Sequence, residues 1–504
     1  MKCLLIIPAW QPEEIFPTRT AASQINYWQP LGTLYVASAL QQAGHEVAFL
    51  NGAFLTRAEI LNAVGLARPE FVGLYSTAFG WPKAMLAAQE IREILPEVFI
   101  AVGGPYPVAV REKCLEDCPD VDAVVTGEGE VTVVEMVNRF AAGRDLAEVA
   151  GLVWRLNDSI ICNAPRPLCT NLDTLAFPAR ELLGEAGRYI PPPATYKRKP
   201  VAVVMTSRGC DHHCIYCFQM DRRRKSGIRY RSIDNVMAEI ELCLSQGYRE
   251  IKFIDETLAG DYDRAMQLTT EIHKRGLDFS WFASARVDQV DKPLLRAFKK
   301  AGCWAILLGA ESGVQKNLDT IRKGITLEQI RGAVAAAREA GLKVFTPFLF
   351  GLPGETFAEG LRTIKFACDL NPDVANFHCL TPFPGTELHD RLEKYGTVSG
   401  NLGDYTYQGA AFTPFTMGRG DITRLRRIAF KSFYSRPRFL LRRFIGIRSV
   451  NDLRAAFTGI RSLFWIWLSE GVFQRRGVAG EKKPSSATIT TGDIPSAGRG
   501  IVQG

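Results

Sequence analysis

The chain has 504 residues, enough for two or three domains. Its hydrophobic fraction of 47% and charged fraction of 23% are those of a globular protein and exclude a disordered or fibrous chain. The net charge of +8 is modest and gathers toward the C-terminus, so no nucleic-acid partner is implied.

The first element predicted is a buried strand. Met1-Lys-Cys-Leu-Leu-Ile-Ile-Pro8 is too short for a signal h-region. The 12 cysteines are scattered, so a reducing, cytoplasmic setting is expected rather than a disulfide framework. No run reaches the roughly 18 uninterrupted apolar residues of a membrane-spanning helix. Strands are predicted at Cys3–Ile7, Glu46–Leu50, Phe71–Tyr75, Val98–Val102 and Ala123–Thr126. Amphipathic helices fall between them at Leu31–Gln42, Lys83–Ile94 and Glu130–Phe140. This alternation predicts a doubly wound, Rossmann-like α/β domain over residues 1–145. Ligands of such sheets bind at the carboxyl ends of the strands. Those ends carry Ser76-Thr77, Gly103-Gly104-Pro105 and Gly127-Glu128-Gly129-Glu130. Small and flexible residues there let a nucleotide-like ligand approach the backbone. His45 opens a strand and reads as structural.

Residues 146–199, rich in proline, read as a linker. Alternation resumes over residues 200–400, with strands at Val201–Met205, Glu250–Ile254, Phe279–Ala283, Trp304–Gly309, Val344–Phe348 and Val374–His378. Six such units predict a partial (β/α)6 barrel with its chemistry at the carboxyl ends of the strands. The first strand runs into Ser207-Arg-Gly-Cys-Asp-His-His-Cys-Ile-Tyr-Cys-Phe218. Thiolates of Cys210, Cys214 and Cys217 can hold three irons of a [4Fe–4S] cluster and leave the fourth iron open to a small molecule. A zinc site is the alternative, with His212 or His213 as a fourth ligand.

The cysteine spacing, with an aromatic residue before the last cysteine, resembles the signature of the radical S-adenosylmethionine (SAM) superfamily. The resemblance implies SAM at the open iron and SAM contacts at the later strand ends. Asp255 or Glu256 would accept from its ammonium group, Ser284 would reach a ribose hydroxyl, and Arg286 would meet its carboxylate. Glu311 matches a SAM-contacting strand end, and Tyr216 would pack beside the adenine. Gly351-Leu-Pro-Gly-Glu-Thr356 and Pro382-Phe-Pro-Gly-Thr-Glu387 resemble turns of the same branch. Taken singly, a charge at a strand end is more often a solvated or paired one.

With that loop in place, the N-terminal domain resembles the cobalamin-binding domain of cobalamin-dependent radical SAM enzymes. The similar runs are Gln29-Pro-Leu-Gly-Thr-Leu-Tyr-Val-Ala-Ser-Ala-Leu-Gln-Gln-Ala-Gly-His-Glu-Val47, Val102-Gly-Gly-Pro105 and Gly127-Glu-Gly-Glu130. The nucleotide tail of cobalamin would lie along Ser76, Thr77, Gly103, Gly104, Gly127, Glu128 and Glu130. The Asp-x-His-x-x-Gly motif that ligates cobalt elsewhere is absent from this region, which implies a cobalt without a protein histidine on its lower face. Glu271-Ile-His-Lys-Arg-Gly276 mimics that motif from a helix of the other domain. The alternative is a sheet that only docks onto the barrel.

Beyond the cysteines, Arg222-Arg-Arg-Lys225, Arg229 and Arg231 would steer an anionic substrate or an acidic flavodoxin or ferredoxin, or form a solvated basic face. Residues 401–476 predict a mainly helical, basic region. Arg424 to Arg448 hold nine Lys/Arg and no acid, and Phe464-Trp-Ile-Trp-Leu468 follows. Such a segment would cap the barrel or touch an anionic membrane surface. Disorder is expected for 477–504.

The implied activity is reductive cleavage of SAM to a 5′-deoxyadenosyl radical, followed by methylation of an unactivated carbon through methylcobalamin. Oxidative cyclisation, as in the anaerobic magnesium-protoporphyrin monomethyl ester cyclase, or another cobalamin-dependent rearrangement is the alternative. A non-catalytic cobalamin or redox sensor is a third. The substrate would be a small, hydrophobic molecule.

Overall fold

The computed structural model describes residues 1–11, 14, 27–157, 159–221, 226–437 and 439–441. The run Arg222 to Lys225, the segment Phe464 to Leu468 and the tail 477–504 lie outside the described residues.

Five parallel strands open the chain: β1 (Lys2–Ile7), β2 (Glu46–Asn51), β3 (Phe71–Tyr75), β4 (Phe99–Gly103) and β5 (Ala123–Val125). Their order is β2-β1-β3-β4-β5, so the winding reverses between β1 and β3. Helices cover both faces, which is why the strands are apolar on both sides. Leu4, Ile6, Val72, Leu74, Ile100 and Val102 pack into one layer. Cys3, Leu5, Phe71, Ala101 and Ala123 pack into the other. This period of two follows from the pleat.

The segment expected to be a linker first extends this sheet. β6 (Leu152–Leu156) pairs antiparallel with β5, and β7 (Ser159–Cys162) pairs with β6. Trp154 and Leu152 fill the layer beneath them. The first domain therefore runs to Cys162, past the expected boundary at 145, and short 3-10 turns carry the chain onward.

The second sheet contains β8 (Val201–Val204) and is followed by a two-residue pairing of β9 (Ser207–Arg208) with β10 (Arg229–Tyr230). β11 (Glu250–Phe253), β12 (Ser280–Ala285), β13 (Cys303–Leu308), β14 (Lys343–Phe350) and β15 (Val374–Cys379) then lie parallel, in sequence order from β8. Five outer helices begin at side-chain caps. Ser232, Asp261, Asp291, Thr326 and Thr356 each accept the amide of the third helical residue. Each cap contributes about 1 kcal/mol. β8 and β15 do not pair, so the barrel is open. The β8 edge is closed by side chains instead. The Val203 amide donates to Gln29 Oε1 at 3.1 Å, and its carbonyl accepts from Arg180 at 2.6 Å.

The region after 400 is not separate from the two domains. β16 (Gly396–Val398) and β17 (Phe412–Pro414) form a short antiparallel pair. Tyr405 and Ala411 complete the core of the first sheet. The helix Arg419–Tyr434 buries Ile422, Leu425 and Phe433 in the barrel core, where a Cβ on Gly360 would meet Leu425 at 2.4 Å. Among the described residues, no helix is long and apolar enough to cross a membrane.

Candidate active site

The cysteine loop hangs between β9 and β10. Gly209 opens it at φ +98°, where a Cβ would strike the Gly227 carbonyl oxygen at 2.5 Å, so only glycine fits. Cys214 is buried, Cys210 half-buried and Cys217 exposed, and none is in a disulfide. The turn is held by Cys217 N–H donating to the Cys214 carbonyl at 3.3 Å and by Ile215, which bonds Ile321 and Leu388 through its backbone. Arg286 Nη1 stands 3.9 Å from Cys214 Sγ, and Gln219 Nε2 stands 3.8 Å from Cys217 Sγ. Three thiols outside any disulfide, with a cation and an amide donor beside them, fit a cluster whose thiolates carry negative charge.

At the end of β11, Asp255 is 3% exposed. Its Oδ1 accepts from the Thr206 amide at 3.0 Å, the Thr206 hydroxyl at 2.9 Å and the Ser207 hydroxyl at 2.6 Å. That oxygen fixes the strand leading into the cysteine loop, while Oδ2 is buried with no partner. Glu256, next along, is open to solvent, yet burial by surrounding protein pushes its pKa up to about 7. Ser284 lies half-buried in β12, which ends at Ala285, two residues beyond the predicted end.

Arg286 is bidentate to Asp288 at 2.9 and 3.0 Å and donates to the Lys323 carbonyl at 2.8 Å. It is thus oriented toward the cysteine loop with its charge already balanced. Glu311 has φ +63°, uncommon for a residue with a side chain. Its amide donates to Pro347 at 3.0 Å, and its carbonyl accepts from Leu349 at 2.8 Å. Its carboxylate accepts from Lys323 Nζ at 2.8 Å, and Lys323 reaches Tyr216 Oη at 3.4 Å. Burial pushes the Tyr216 phenol well up. This group joins the cysteine loop to the fourth strand end.

On the first sheet, Ser76 is 1% exposed and bonds the Thr77 carbonyl at 3.0 Å, while Thr77 Oγ1 accepts from Gly80 at 3.2 Å. Gly104 has φ +110°, and a Cβ there would meet the Ser76 carbonyl oxygen at 2.5 Å. A Cβ on Gly127 would meet nothing within 4 Å, and one on Gly103 only Val125 at 4.0 Å. These glycines leave a shallow open cradle that fits a ligand's tail. Glu128 and Glu130 face elsewhere. Glu128 accepts from Arg229 at 2.9 and 3.0 Å, from Arg208 at 3.0 Å and from the Cys169 amide at 2.8 Å. Glu130 pairs with Arg208 at 2.5 Å. Arg208 and Arg229 are the two strands at the base of the cysteine loop, so these carboxylates pin that loop to the first sheet.

Arg231 is likewise 3% exposed and paired with Glu239. Arg229 and Arg231 are therefore internal, not the basic face expected of them. Ala109 and Phe218 both lie against Gly385, a second seam between the domains. The two sheets thus present their carboxyl ends to one another, with the cysteine loop between.

Comparison with known proteins agrees with this geometry. Residues 204–367 match the radical SAM superfamily and residues 20–137 the B12 binding domain. An uncharacterized methyltransferase of Pyrococcus horikoshii is 34% identical, covering 88% of this chain and 94% of its own. The chain belongs to the cobalamin-dependent radical SAM family. The anaerobic magnesium-protoporphyrin IX monomethyl ester cyclase of Rubrivivax gelatinosus is 28% identical, covering 82% of this chain and 75% of its own. The fold is that of the radical SAM methyltransferase TsrM from Kitasatospora setae, with a TM-score of 0.66 at 18% identity, over 87% of this chain and 90% of that one. The cofactors of this radical SAM enzyme are a [4Fe–4S] cluster, SAM and cobalamin.

Several residues of this site escape sequence reasoning. Arg208 stands directly before Gly-Cys, but only the fold shows it meeting Glu128. Lys323, in Ile321-Arg-Lys-Gly324, carries no pattern beyond a basic loop.

Proposed function

We propose that this enzyme transfers a methyl group from SAM, by way of cobalamin, to an unactivated carbon of a small apolar substrate. The observation that carries the reading is the Glu128–Arg208–Arg229 bridge, which ties the cysteine loop to the cradle of the first sheet. When bound, the cluster and SAM supply a carbon-centred radical and cobalamin supplies the methyl group.

The chain's own work is placement. Cys210, Cys214 and Cys217 would hold the cluster. Glu256 would take the SAM ammonium, since Asp255 Oδ1 is already engaged. Ser284 and Glu311 would meet its ribose, and Tyr216 its adenine. Ser76, Thr77, Gly103, Gly104 and Gly127 would line the cobalamin tail. A flavodoxin- or ferredoxin-type donor in a cytoplasmic setting would supply the electron. Oxidative cyclisation is the second reading, favoured by the similarity to the Rubrivivax gelatinosus cyclase.

The test is anaerobic reconstitution with iron, sulfide and hydroxocobalamin, then turnover with methyl-labelled SAM in an extract of apolar metabolites. About four irons per chain with cobalt is the expected loading. Label in an extracted product supports methylation. Cleaved SAM and an unlabelled, oxidised product would replace it with cyclisation. Iron without cobalt would overturn both.

A further inference from the structure

The second sheet has a covered face and an open one. Ile251, Phe253, Ala283 and Ile306 point out beneath the helices and are sealed from water. On the inner, concave face Ile254 is 43% exposed, and Ser284, Leu307 and Pro347 are half-buried. The pleat puts Lys252 on that same inner face, between the outward Ile251 and Phe253.

Lys252 pairs in register with Val203 of β8 and Phe282 of β12. Its Nζ stands 3.1 Å from the centroid of the Phe282 ring. Phe282, Trp304 and Phe345 meet one another at 5.0 to 6.1 Å between centroids, an aromatic floor for the concave face. A ring attracts a cation but accepts none of the three N–H bonds as a carboxylate would. Among the described residues Lys252 has neither an ion pair nor a hydrogen bond. It is half-buried, and its Nζ is not sealed from solvent. Burial among these apolar neighbours pushes its pKa down to about 7.

The other charges around this face have partners or lie at its margins. Glu250, two residues back on β11, accepts from the Lys197 amide at 2.8 Å, the Arg198 amide at 2.6 Å, the Ser280 hydroxyl at 2.7 Å and the Trp304 indole at 2.9 Å. Glu311 is paired with Lys323, and Arg286 with Asp288. Lys343 is exposed at the amino end of β14, with Nζ 5.6 Å from the Trp304 ring. Arg426 reaches β15 from the helix Arg419–Tyr434 and donates to the Phe377 carbonyl at 3.0 Å and to Gln408 at 2.8 Å.

We infer that Lys252 receives a carboxylate at the inner end of the substrate. The apolar body would then lie along Ile254 and Leu307, one pleat or about 7 Å nearer the carboxyl ends of the strands, with the reacting carbon toward the cysteine loop. A carboxylate there supplies the acceptor that the aromatic floor lacks, and holding it from beneath fixes which carbon faces upward. The inference rests on the proposed function and deepens it, since the substrate becomes an apolar molecule with one acidic end.

The test uses the reconstituted, unreduced holoenzyme under anaerobic conditions, with SAM present to occupy its own contacts. Equilibrium dialysis compares two probes with one apolar body, 1-naphthaleneacetate and 2-(1-naphthyl)ethanol. The acid should bind about tenfold more tightly than the alcohol, as one desolvated hydrogen bond between charged groups allows. Lys252→Met should remove that preference and leave the alcohol's affinity as it was. Ile254→Trp, which fills the face above the amine, should weaken both probes, and it decides the matter if Lys252→Met does not load iron and cobalt as the parent does. Equal behaviour of acid and alcohol with the parent, whether both bind or neither does, overturns the inference. An acid preference that survives Lys252→Met but is lost in Arg426→Met overturns it too and moves the anion to the β15 edge. Iron without cobalt in the parent overturns the functional reading instead, so the two failures are distinct.

Discussion

On the proposed reading the two parallel sheets would hold their ligands in the same place, at the carboxyl ends of their strands, but with opposite materials. The first sheet offers backbone and small residues: Ser76, Thr77, Gly103, Gly104 and Gly127. The barrel gathers charged side chains, Arg286 with Asp288, Glu311 with Lys323, and Glu256 beside them without an ion pair. A long, mostly neutral tail is recognised by a shape it can lie along. A small zwitterion such as SAM is recognised by opposite charges held in a desolvated place. The first site therefore tolerates little added volume, and the second tolerates little unbalanced charge.

That contrast can be broken most severely at the cysteine loop, which neither sheet can replace. Cys214→Ala should reduce iron from about four per chain to a trace and abolish SAM cleavage, because two thiolates do not retain the cluster. Iron analysis and detection of 5′-deoxyadenosine check this. Retained cleavage would remove the cluster assignment.

The seam between the sheets comes next. Glu128→Ala leaves Arg229 buried without a carboxylate and Arg208 with Glu130 alone, at a cost of about 3 kcal/mol. Cobalt and iron should fall together, with a lower melting temperature. Loss of cobalt alone would instead place Glu128 on the cobalamin tail. Burial opposes ionisation of Glu128, but Arg229 and Arg208 hold its pKa below the usual range. Its contribution is then fully present above the ordinary glutamate range and is lost only as pH falls through the depressed value. The seam should accordingly be insensitive to pH near neutrality.

The first site is sharpened by a pair of glycines. Gly104→Ala should cost about 2 kcal/mol, since a left-handed backbone and a 2.5 Å clash with Ser76 coincide there. Gly127→Ala meets open space, so it should melt as the parent does yet bind cobalamin more weakly. Unchanged cobalt uptake by Gly127→Ala would move the tail away from that strand end.

The smallest effect is a pH slope in the barrel. Glu355 is fully buried, and burial pushes its pKa up to about 8 despite amide donors from Gly351 at 2.7 Å and Leu352 at 3.1 Å. The folded state then holds a proton that the unfolded chain gives up near the ordinary glutamate value. Stability from this group is full below that value and is lost as pH rises through about 8. Glu355→Gln should flatten the decline in melting temperature between pH 6 and 8; an unchanged slope would assign the decline elsewhere.

Much of this protein is legible from the order of its residues. Apolar runs bounded by glycine and capping residues place strands and helices within a residue or two, because local pattern and helix caps act over short range. Cys210, Cys214 and Cys217 announce a cluster because their spacing alone puts three thiols on one loop. The same locality explains the misplaced boundaries. Leu152–Leu156 and Ser159–Cys162 are short edge strands whose pairing depends on β5, so they read as linker. Helix Arg419–Tyr434 reads as a separate basic segment, because the barrel groove that receives Leu425 and Phe433 comes from residues far away in sequence.

Side-chain partners belong to the tertiary structure alone. Glu128 reads as a ligand contact from its motif, and Arg229 as a free cation, until folding brings them within 3.0 Å. Asp255 reads as a SAM contact, and only the fold shows Thr206 and Ser207 engaging its Oδ1 while Oδ2 has no hydrogen-bond partner. Lys323 carries no motif, since its partners Glu311 and Tyr216 meet it only in space. Sequence determines which chemistry the chain can perform, through the thiols it places together and the alternation that builds two sheets. Tertiary structure decides which charges are spent on holding the sheets and which remain to meet a ligand, because pairing and desolvation depend on distance in space.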